Sequence, residues 1–194
     1  EMNYADYMVQ REKELYEEKL RIINDQMKPH FIFNSLGTIR YLCMTDPEEA
    51  VEAINDFSVC MRRTTDFIGE NSCITAEQEL DLVKHYLNIQ KKRFEENVNI
   101  KYDIHDVDFD VPPFLIQTLV ENALQHGILD HQVENASILI KTEKKGTDHI
   151  VNVSDTGVGF DTEILDQKVE GRVGIYNAKN RLEIMCGGAL NIES

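Results

Sequence analysis

Apolar residues recur at helical spacing in the first part of the chain. Over residues 3–45 they fit one long amphipathic helix, which only Pro29 interrupts. Asp46 and Pro47 then have the residue types of an N-cap and a first helical position, and they predict a second helix. Since two amphipathic helices joined by a tight turn cannot bury their apolar stripes alone, we expect two such hairpins to pair as a four-helix bundle. The stripe of the second helix is predicted at Ala50, Ile54, Phe57 and Met61.

Beyond residue 72 the pattern mixes helices with alternating strands. Thr75 begins a helix with the Thr-x-x-Gln pattern of a capping box. The segment PPFLIQTLVENALQHGIL predicts a helix opened by proline, and VGIYNAKNRLEIMCGG predicts a helix that ends at glycine. Strands are predicted in NVNIKYDIH, in ALNIES, and on both sides of a turn near residues 145–147 in ASILIKTEKKGTDHIVNVSD. The predicted core contains Phe114, Leu115, Ile116, Leu119, Val120, Ile138, Ile140, Val151 and Val153.

These elements indicate an α+β fold, because strands and helices do not follow a strict βαβ alternation. We place a boundary near residue 72. Residues 1–72 are expected to form the helical hairpin, and residues 73–194 an α/β sandwich with its helices on one face.

Charge and cysteine content narrow the possible functions. The net charge of −15 argues against nucleic acid or an anionic membrane face as a general partner, so a polyphosphate would have to be bound locally. No run of 18 apolar residues occurs and the first residues do not resemble a signal peptide, so we expect a soluble cytosolic piece. The cysteines show neither CxxC nor zinc spacing and are expected to be small buried hydrophobes; they are Cys43, Cys60, Cys73 and Cys186.

The segment KPHFIFNSL places a proline directly before His30, inside a predicted helix. Such a proline costs about 3 kcal/mol, and here it leaves the carbonyl of Asp25 without its helical bond. One hypothesis is a kink that lets the upstream helix expose or hide the imidazole; the alternative is a static kink beside an ordinary surface histidine. Histidine as a residue type is a largely neutral nucleophile at neutral pH. Asn34 lies one helical turn later on the same face and could position a water or a phosphoryl group.

Further candidate chemistry lies in three segments of the second part. VENALQHG carries amide and imidazole side chains at helical spacing i, i+3 and i+4, DTGVG follows a predicted strand, and GRVGIYNAKNRL opens a helix with glycines. Each segment alone is also compatible with a tight turn or a solvated helix face. The residues concerned are Asn122, Gln125 and His126, then Asp155, Gly157 and Gly159, and finally Gly171 and Gly174.

Taken together and in this order, the segments resemble the sensor histidine kinases of the LytS/YesM-like family, whose phosphoacceptor segment reads PHFxFN. KPHFIFNSL matches the acceptor box, LVENALQHG the N box, VSDTGVGF the first glycine box and VGIYNAKNRLEIMCGG the second. The resemblance covers most of the chain after residue 20. It implies a dimerisation and phosphotransfer hairpin followed by an ATP-binding domain of the GHKL type. It also implies ATP-dependent autophosphorylation, transfer to an aspartate of a response regulator, a homodimer, and a parent protein anchored in the cell membrane.

The same resemblance implies roles for individual residues. His30 would be phosphorylated, Asn122 would ligate Mg²⁺, and Asp155 would accept a hydrogen bond from the adenine amino group of ATP. Gln125 and His126 are expected near the phosphates. The nucleotide pocket and its lid would be shaped by Gly157, Gly159 and Gly174.

The sequence departs from common histidine kinase patterns at two places. Phe31 follows the acceptor histidine where many of these kinases have an acidic residue, so the general base is not identified; Glu121 is one candidate. The second glycine box reads RVGI rather than GxGL, with Arg172 at the first glycine position and Gly171 one place early. The family usually has a further strand after this point, so we expect a fragment that lacks the C-terminal strand.

Two other functions fit parts of the pattern. A GHKL-type ATPase would have a water-activating glutamate one turn before the magnesium asparagine, but Thr118 holds that position and cannot act as that base. A pseudokinase scaffold would bind nucleotide without transferring phosphate.

Overall fold

A computed structural model describes residues 11, 29–67, 72–94, 98–129, 131, 133, 135–159 and 173–193. By its internal contacts the chain divides into two compact units, Glu1–Glu70 and Asn71–Ser194. Arg11 is helical, but the rest of the predicted helix before Pro29 lies outside the described residues, and so does the predicted kink.

The first unit contains helix α1, Pro29–Thr45, and helix α2, Pro47–Phe67. The predicted start of α2 is confirmed, because the amide of Glu49 donates to Asp46 Oδ1 at 3.1 Å and Pro47 is the first helical residue. The two helices pack through the rings of Phe31 and Phe57, whose centroids lie 6.2 Å apart.

The predicted apolar stripe of α2 is correct only in part. Ala50 is buried and Phe57 and Met61 are half-buried, but Ile54 is 44% exposed. Ala50 and Ala53 pack with Leu42 of α1, so the buried face of α2 passes through Ala53 rather than Ile54. The buried residues of α2 are Ala50, Ala53, Cys60, Thr64 and Phe67.

The second unit mixes helices with two sheets, which confirms the α+β class. Helix α3, Ala76–Arg93, starts with the predicted capping box between Thr75 and Gln78. The larger sheet has the order β2-β4-β5, with β2 (Val98–Ile104) parallel to β4 (Ala136–Lys145) and β4 antiparallel to β5 (Asp148–Asp155). A small antiparallel sheet joins β1 (Ile74–Thr75) to β3 (Asp110–Val111).

The helix predicted over PPFLIQTLVENALQHGIL differs in its start and its end. Helix α4 covers Leu115–Asn122, and a π-helical segment, Ala123–Leu129, continues it. The prolines do not open the helix, because Phe114 adopts a left-handed conformation with φ of 61° and separates them from it. The prediction of one α-helix was therefore wrong at both ends.

The last helix, α5, covers Val173–Cys186 and ends as predicted at glycine. Gly187 has a φ of 63°, its amide donates to Glu183 O at 3.0 Å, and the amide of Gly188 donates to Leu182 O at 3.3 Å. The bond from Gly187 to Glu183 is that of the αL motif, in which the residue after the helix adopts the left-handed conformation. The strand predicted in ALNIES is wrong for residues 189–193, which pair with no strand among the described residues.

The core of the second unit lies where α4 and the π-helical segment cover the sheet. Every second residue of β4 from Ala136 to Thr142 is buried, which is the alternation expected for a sheet with one covered face. Of the predicted core, Leu119, Val151 and Val153 are only half-buried and the others are buried. Among the described residues, no helix has the length and apolar content needed to cross a membrane.

Candidate functional site

His30 is exposed on the first turn of α1, and its ring contacts Asn34 one turn later. The amide Nδ2 of Asn34 lies 2.9 Å from Nε2 of His30 and 3.1 Å from Nδ1. Which of the two ring nitrogens accepts from the amide depends on the tautomer of the imidazole. The contact with Asn34 therefore orients the ring of His30.

Phe31 explains why the neighbouring histidine faces solvent. Its side chain is 7% exposed and packs against Phe57 of α2. Since adjacent helical residues point in different directions, burying Phe31 leaves His30 on the outer surface. The position after the histidine thus anchors the helix and cannot supply an acid.

In the second unit, the start of α4 is capped by a distant side chain. Glu79 of α3 is fully buried and accepts hydrogen bonds from the amides of Phe114 at 2.9 Å and Gln117 at 3.0 Å. Phe114 itself has no side-chain cap to offer. The carboxyl group of Glu79 therefore satisfies amides that the left-handed turn leaves unpaired at the helix start.

Burial raises the pKa of Glu79 to about 7, against the opposing effect of the two amide hydrogen bonds and the nearby charge of Arg181. Arg181 of α5 donates from Nη1 to the carbonyl of Pro113 at 2.8 Å, and burial lowers the pKa of its guanidinium. These contacts join α3, the turn before α4, and α5 through one buried polar cluster. The position of α4 therefore depends on residues far away in the sequence.

Asp155 is the last residue of β5 and pairs with Ile138 of β4. The backbone beyond it stays attached to β4, since the amide of Thr156 donates to Ser137 O at 3.1 Å and the amide of Ser137 donates to Thr156 Oγ1 at 2.9 Å. The amide of Gly157 donates to Asp155 Oδ1 at 2.8 Å. The exposed carboxylate is thus oriented through Oδ1, while Oδ2 accepts no hydrogen bond from a described residue.

Two glycines allow the chain to pack against this carboxylate. A Cβ on Gly127 would lie 2.6 Å from Asp155 Oδ1, and one on Gly157 would meet the same atom at 2.5 Å as well as the carbonyl oxygen of Gly127. The amide of Val158 also donates to the carbonyl of Gly127, at 3.3 Å. The end of the π-helical segment and the loop after β5 therefore require glycine at both positions. Gly159 has a φ of 68°, which also favours glycine.

Asn122, Gln125 and His126 lie at the junction between α4 and the π-helical segment. Asn122 is half-buried as the last residue of α4, and its side chain has no hydrogen-bond partner among the described residues. Gln125 is half-buried and His126 is exposed. The common face predicted for these three side chains assumed an α-helix, whereas the structure has a π-helical segment after Asn122, so the common face stays a prediction. Short π-helical segments occur frequently at functional sites.

Gly174 lies near the start of α5, beside Thr118 of α4. A Cβ on this glycine would lie 3.5 Å from Cγ2 of Thr118, which is ordinary van der Waals contact, so packing alone does not require glycine here. The Thr118 hydroxyl donates to the carbonyl of Phe114 at 2.5 Å and is used within its own helix. Gly171 and Arg172 lie outside the described residues.

The structure therefore places Asp155, Gly157 and Gly174 beside the helical stretch that carries Asn122, Gln125 and His126. Asp155 and Gly157 contact the end of the π-helical segment, and Gly174 lies beside the turn of α4 that precedes Asn122. Within the described ranges, no group of three or more His, Cys, Asp or Glu side chains is arranged to hold a metal ion. Mg²⁺ needs no such cage, since it is commonly held by one or two side chains together with substrate phosphates.

Sequence reasoning missed several residues that shape this site. Gly127 belongs to the quoted segment LVENALQHG but received no role, although it packs directly against Asp155. Glu79 could have been noticed because it shares helical spacing with the buried residues Leu82, Val83 and Tyr86. No local signal marks Arg181, whose partner lies 68 positions away.

Comparison with known proteins gives consistent matches. The family model described as histidine kinase matches residues 18–98. The uncharacterized protein YwpD of Bacillus subtilis is 33% identical over 181 residues, which are 91% of this chain and 65% of YwpD. Sensor protein LytS of Staphylococcus saprophyticus is 34% identical over 182 residues, 91% of this chain and 30% of LytS. Sensor histidine kinase YesM of Bacillus subtilis is 27% identical over 182 residues, 92% of this chain and 31% of YesM.

Proposed function

We propose that this chain, a member of the histidine kinase family, autophosphorylates on His30 with ATP as the phosphate donor. Its relatives include the sensor kinases LytS and YesM. It spans 65% of the length of YwpD and about 30% of the sensor kinases, so it corresponds to only part of those proteins. In this proposal residues 1–72 carry the phosphoacceptor, and residues 73–194 form a nucleotide-binding sandwich of the GHKL type.

The observation that carries the proposal is the position of the Asp155 carboxylate, which lies between Gly127 and Gly157. One oxygen is held by the amide of Gly157, and the other is exposed and without a partner among the described residues. A carboxylate fixed in this way can accept a hydrogen bond from an amino group, such as that of adenine. Little side-chain entropy is lost on binding, because the carboxylate is already oriented. The two glycines let the surrounding backbone pack closely enough to hold this carboxylate in place.

Asn122, which directly precedes the π-helical segment, also supports the proposal. Its side-chain oxygen would hold Mg²⁺, which would neutralise part of the charge of the ATP phosphates. Gln125 and His126 follow on the π-helical segment, where they would lie toward the phosphates. Gly159 and Gly174 would let the backbone approach the nucleotide closely.

At the acceptor, the contact with Asn34 supports nucleophilic attack by a ring nitrogen of His30, because it orients the imidazole. The bond that forms joins a ring nitrogen of His30 to the γ-phosphorus. The bond that breaks joins this phosphorus to the oxygen that leaves with ADP. Asn34 would orient the ring, and the proton released from the ring would pass to solvent or to a base such as Glu121.

The surface of the first unit supports a homodimer. Large apolar side chains are exposed on α1 and α2, which leaves apolar area that a second hairpin could cover as a four-helix bundle. These residues are Phe33, Leu36, Tyr41, Met44, Val51 and Ile54. Phosphotransfer to an aspartate of a response regulator, and membrane anchoring of the parent protein, remain predictions from the family.

Incubation with labelled ATP and Mg²⁺ tests the proposal against its alternatives. A kinase will form acid-labile phosphohistidine, a GHKL-type ATPase will release free phosphate, and a pseudokinase scaffold will bind nucleotide without turnover. Peptide mapping should place the label on His30. Asn122→Ala should lose phosphorylation that depends on Mg²⁺, with Asn152→Ala, an exposed residue of β5, as a matched control.

A further inference from the structure

Two cysteines of the second unit lie in direct contact at a place where α5 meets the small sheet. Sγ of Cys73 is 3.1 Å from Sγ of Cys186, although the residues are 113 positions apart in the sequence. Cys73 directly precedes β1, and Cys186 is the last residue of α5. The sequence predicted that all four cysteines are buried, but Cys73 is half-buried and Cys186 is exposed. Of the four, only Cys60 is buried as predicted.

The surroundings of the two thiols fix their positions. Cys186 Sγ lies 3.9 Å from the carbonyl oxygen of Asp110 in β3, and Cys73 Sγ lies 4.0 Å from the carbonyl oxygen of Met185. Cys73 precedes β1 and Cys186 contacts β3. Because these two strands are paired, both cysteines lie beside the same small sheet. No third metal-ligating side chain completes a metal site among the described residues. A disulfide would need the sulfur atoms to approach by only about 1 Å.

We propose that Cys73 and Cys186 form a reversible disulfide that controls the second unit. The oxidant is a low-molecular-weight disulfide of the glutathione type. The Cys73 thiolate attacks one of its sulfur atoms, forms a mixed disulfide and expels one thiolate. Cys186 then loses its proton to solvent, attacks Cys73 Sγ and expels the second thiolate. Two protein thiols are oxidised, and one external disulfide is reduced to two thiols.

The order of attack follows from the electrostatics of the pair. Local burial of its sulfur, its hydrogen bond to Cys73 and the nearby charges of Cys73 and Asp110 raise the pKa of Cys186 to about 12. Cys186 therefore holds its proton more firmly than an ordinary cysteine, so the first attack falls to Cys73. Once Cys73 is part of a mixed disulfide its charge is gone, so the pKa of Cys186 falls and the second attack becomes possible.

The disulfide would act on the candidate nucleotide site through α5. The first turn of this helix lies beside Thr118 of α4, and its last residue would become covalently fixed to the segment before β1. Any shift of α5 that accompanies nucleotide binding or phosphotransfer would then be restricted. We expect oxidation to slow autophosphorylation by at least about fivefold, the lower end of typical coupling between sites. This consequence rests on the proposed kinase function, whereas formation of the disulfide does not.

Thiol mapping tests the bond itself. The purified chain is equilibrated with oxidised or reduced glutathione, free thiols are blocked with a maleimide, and peptides are mapped by mass spectrometry. We expect one intramolecular bond, Cys73 to Cys186, that reduction reverses. Cys73→Ser and Cys186→Ser should abolish it, and the matched controls Cys43→Ser and Cys60→Ser should retain it. Four free thiols, glutathione left on either cysteine, or a bond between chains would overturn the proposal.

The control function is tested on the same samples. Phosphorylation rate and affinity for a fluorescent ATP analogue are measured for the oxidised and reduced wild type and for Cys186→Ser. A slower rate or weaker binding in the oxidised wild type alone supports control through the disulfide. Equal values in both states, or an equal response in Cys186→Ser, overturn it. If the reduced wild type forms no phosphohistidine, the kinase assignment fails separately, and nucleotide affinity still decides the effect of the disulfide.

Discussion

The two units hold their candidate chemistry in different ways. In the first unit His30 and Asn34 are one turn apart on a single helix, and both groups are close to solvent. In the second unit the contacts join distant parts of the chain, as when Glu79 caps a helix start 35 positions later or Arg181 reaches back 68 positions. The acceptor pair therefore needs only a helix, whereas the candidate nucleotide site needs the whole fold of its unit.

This difference has an energetic counterpart. An exposed local pair contributes little to stability and can be altered without disturbing the helix that carries it. A buried carboxyl such as Glu79, or a glycine that contacts backbone such as Gly157, couples the candidate site to the stability of the unit. A substitution at the acceptor pair of the first unit should therefore change phosphorylation without changing stability. A substitution at the buried contacts of the second unit should change both nucleotide binding and stability.

The largest expected effect is on the acceptor. His30→Gln should abolish phosphate incorporation while leaving nucleotide affinity unchanged, since it removes only the nucleophile. The measurement is acid-labile label per chain beside a titration with a fluorescent ATP analogue. His131→Gln, which changes an exposed histidine of the second unit, is the matched control. Label that persists on the His30 variant would show that the phosphoacceptor is not His30 of the first unit.

Gly157→Ala should weaken nucleotide binding strongly. The added Cβ would meet the carbonyl oxygen of Gly127 and lie 2.5 Å from Asp155 Oδ1, so backbone must move. Overpacking of this kind costs about 1–3 kcal/mol, which is about 5- to 140-fold in affinity if the backbone shift falls on the site. Gly146→Ala is the control, because its Cβ has nothing within 4 Å although its φ is 65°. Similar affinities in both variants would place the nucleotide elsewhere.

Glu79 should make the stability of the second unit depend on pH. Its pKa in the folded chain is raised from 4.5 to about 7, so between these values the native state binds a proton that the unfolded state has lost. The stabilisation is complete below about pH 4.5 and is lost as the pH rises through about 7. It amounts to about 3 kcal/mol.

Urea unfolding at a series of pH values measures this effect. Glu79→Gln should remove the fall in unfolding free energy between about pH 4.5 and 7. Glu77→Gln, an exposed position on the same helix, should keep it. Parallel curves for wild type and Glu79→Gln would mean that Glu79 is ionised throughout this range.

Asp155→Asn should have the smallest effect of the series. The amide keeps the shape of the carboxylate and can still accept, so the loss is the difference between a hydrogen bond to a charged acceptor, roughly 1.5–3 kcal/mol, and one to a neutral acceptor, roughly 0.5–1.5 kcal/mol. We expect about tenfold weaker binding of adenine nucleotides and poorer discrimination against guanine nucleotides. Competition titrations with both nucleotides measure this, with Asp148→Asn at the other end of β5 as control. Unchanged selectivity would remove Asp155 from base recognition.

Local features of this chain could be predicted from sequence because their partners are a few residues away. The Asp46 N-cap, the capping box of Thr75 and Gln78, and the glycine that ends α5 each involve hydrogen bonds within one helical turn or so. The contact of Asn34 with His30 follows from helical spacing in the same way. The order of the four kinase-like segments likewise required no knowledge of the fold.

The tertiary structure decided what depends on distant partners. Phe114 could adopt a left-handed conformation ahead of α4 because Glu79 satisfies the amides there, and no pattern near the prolines indicates this. A π-helical segment took the place of the end of the predicted α-helix, and the strand expected at residues 189–193 found no neighbour among the described residues. Hydrophobic periodicity reports which side of an element is buried but not what covers it, so the contacts of Gly127 with Asp155 and of Cys73 with Cys186 emerged only from the folded chain.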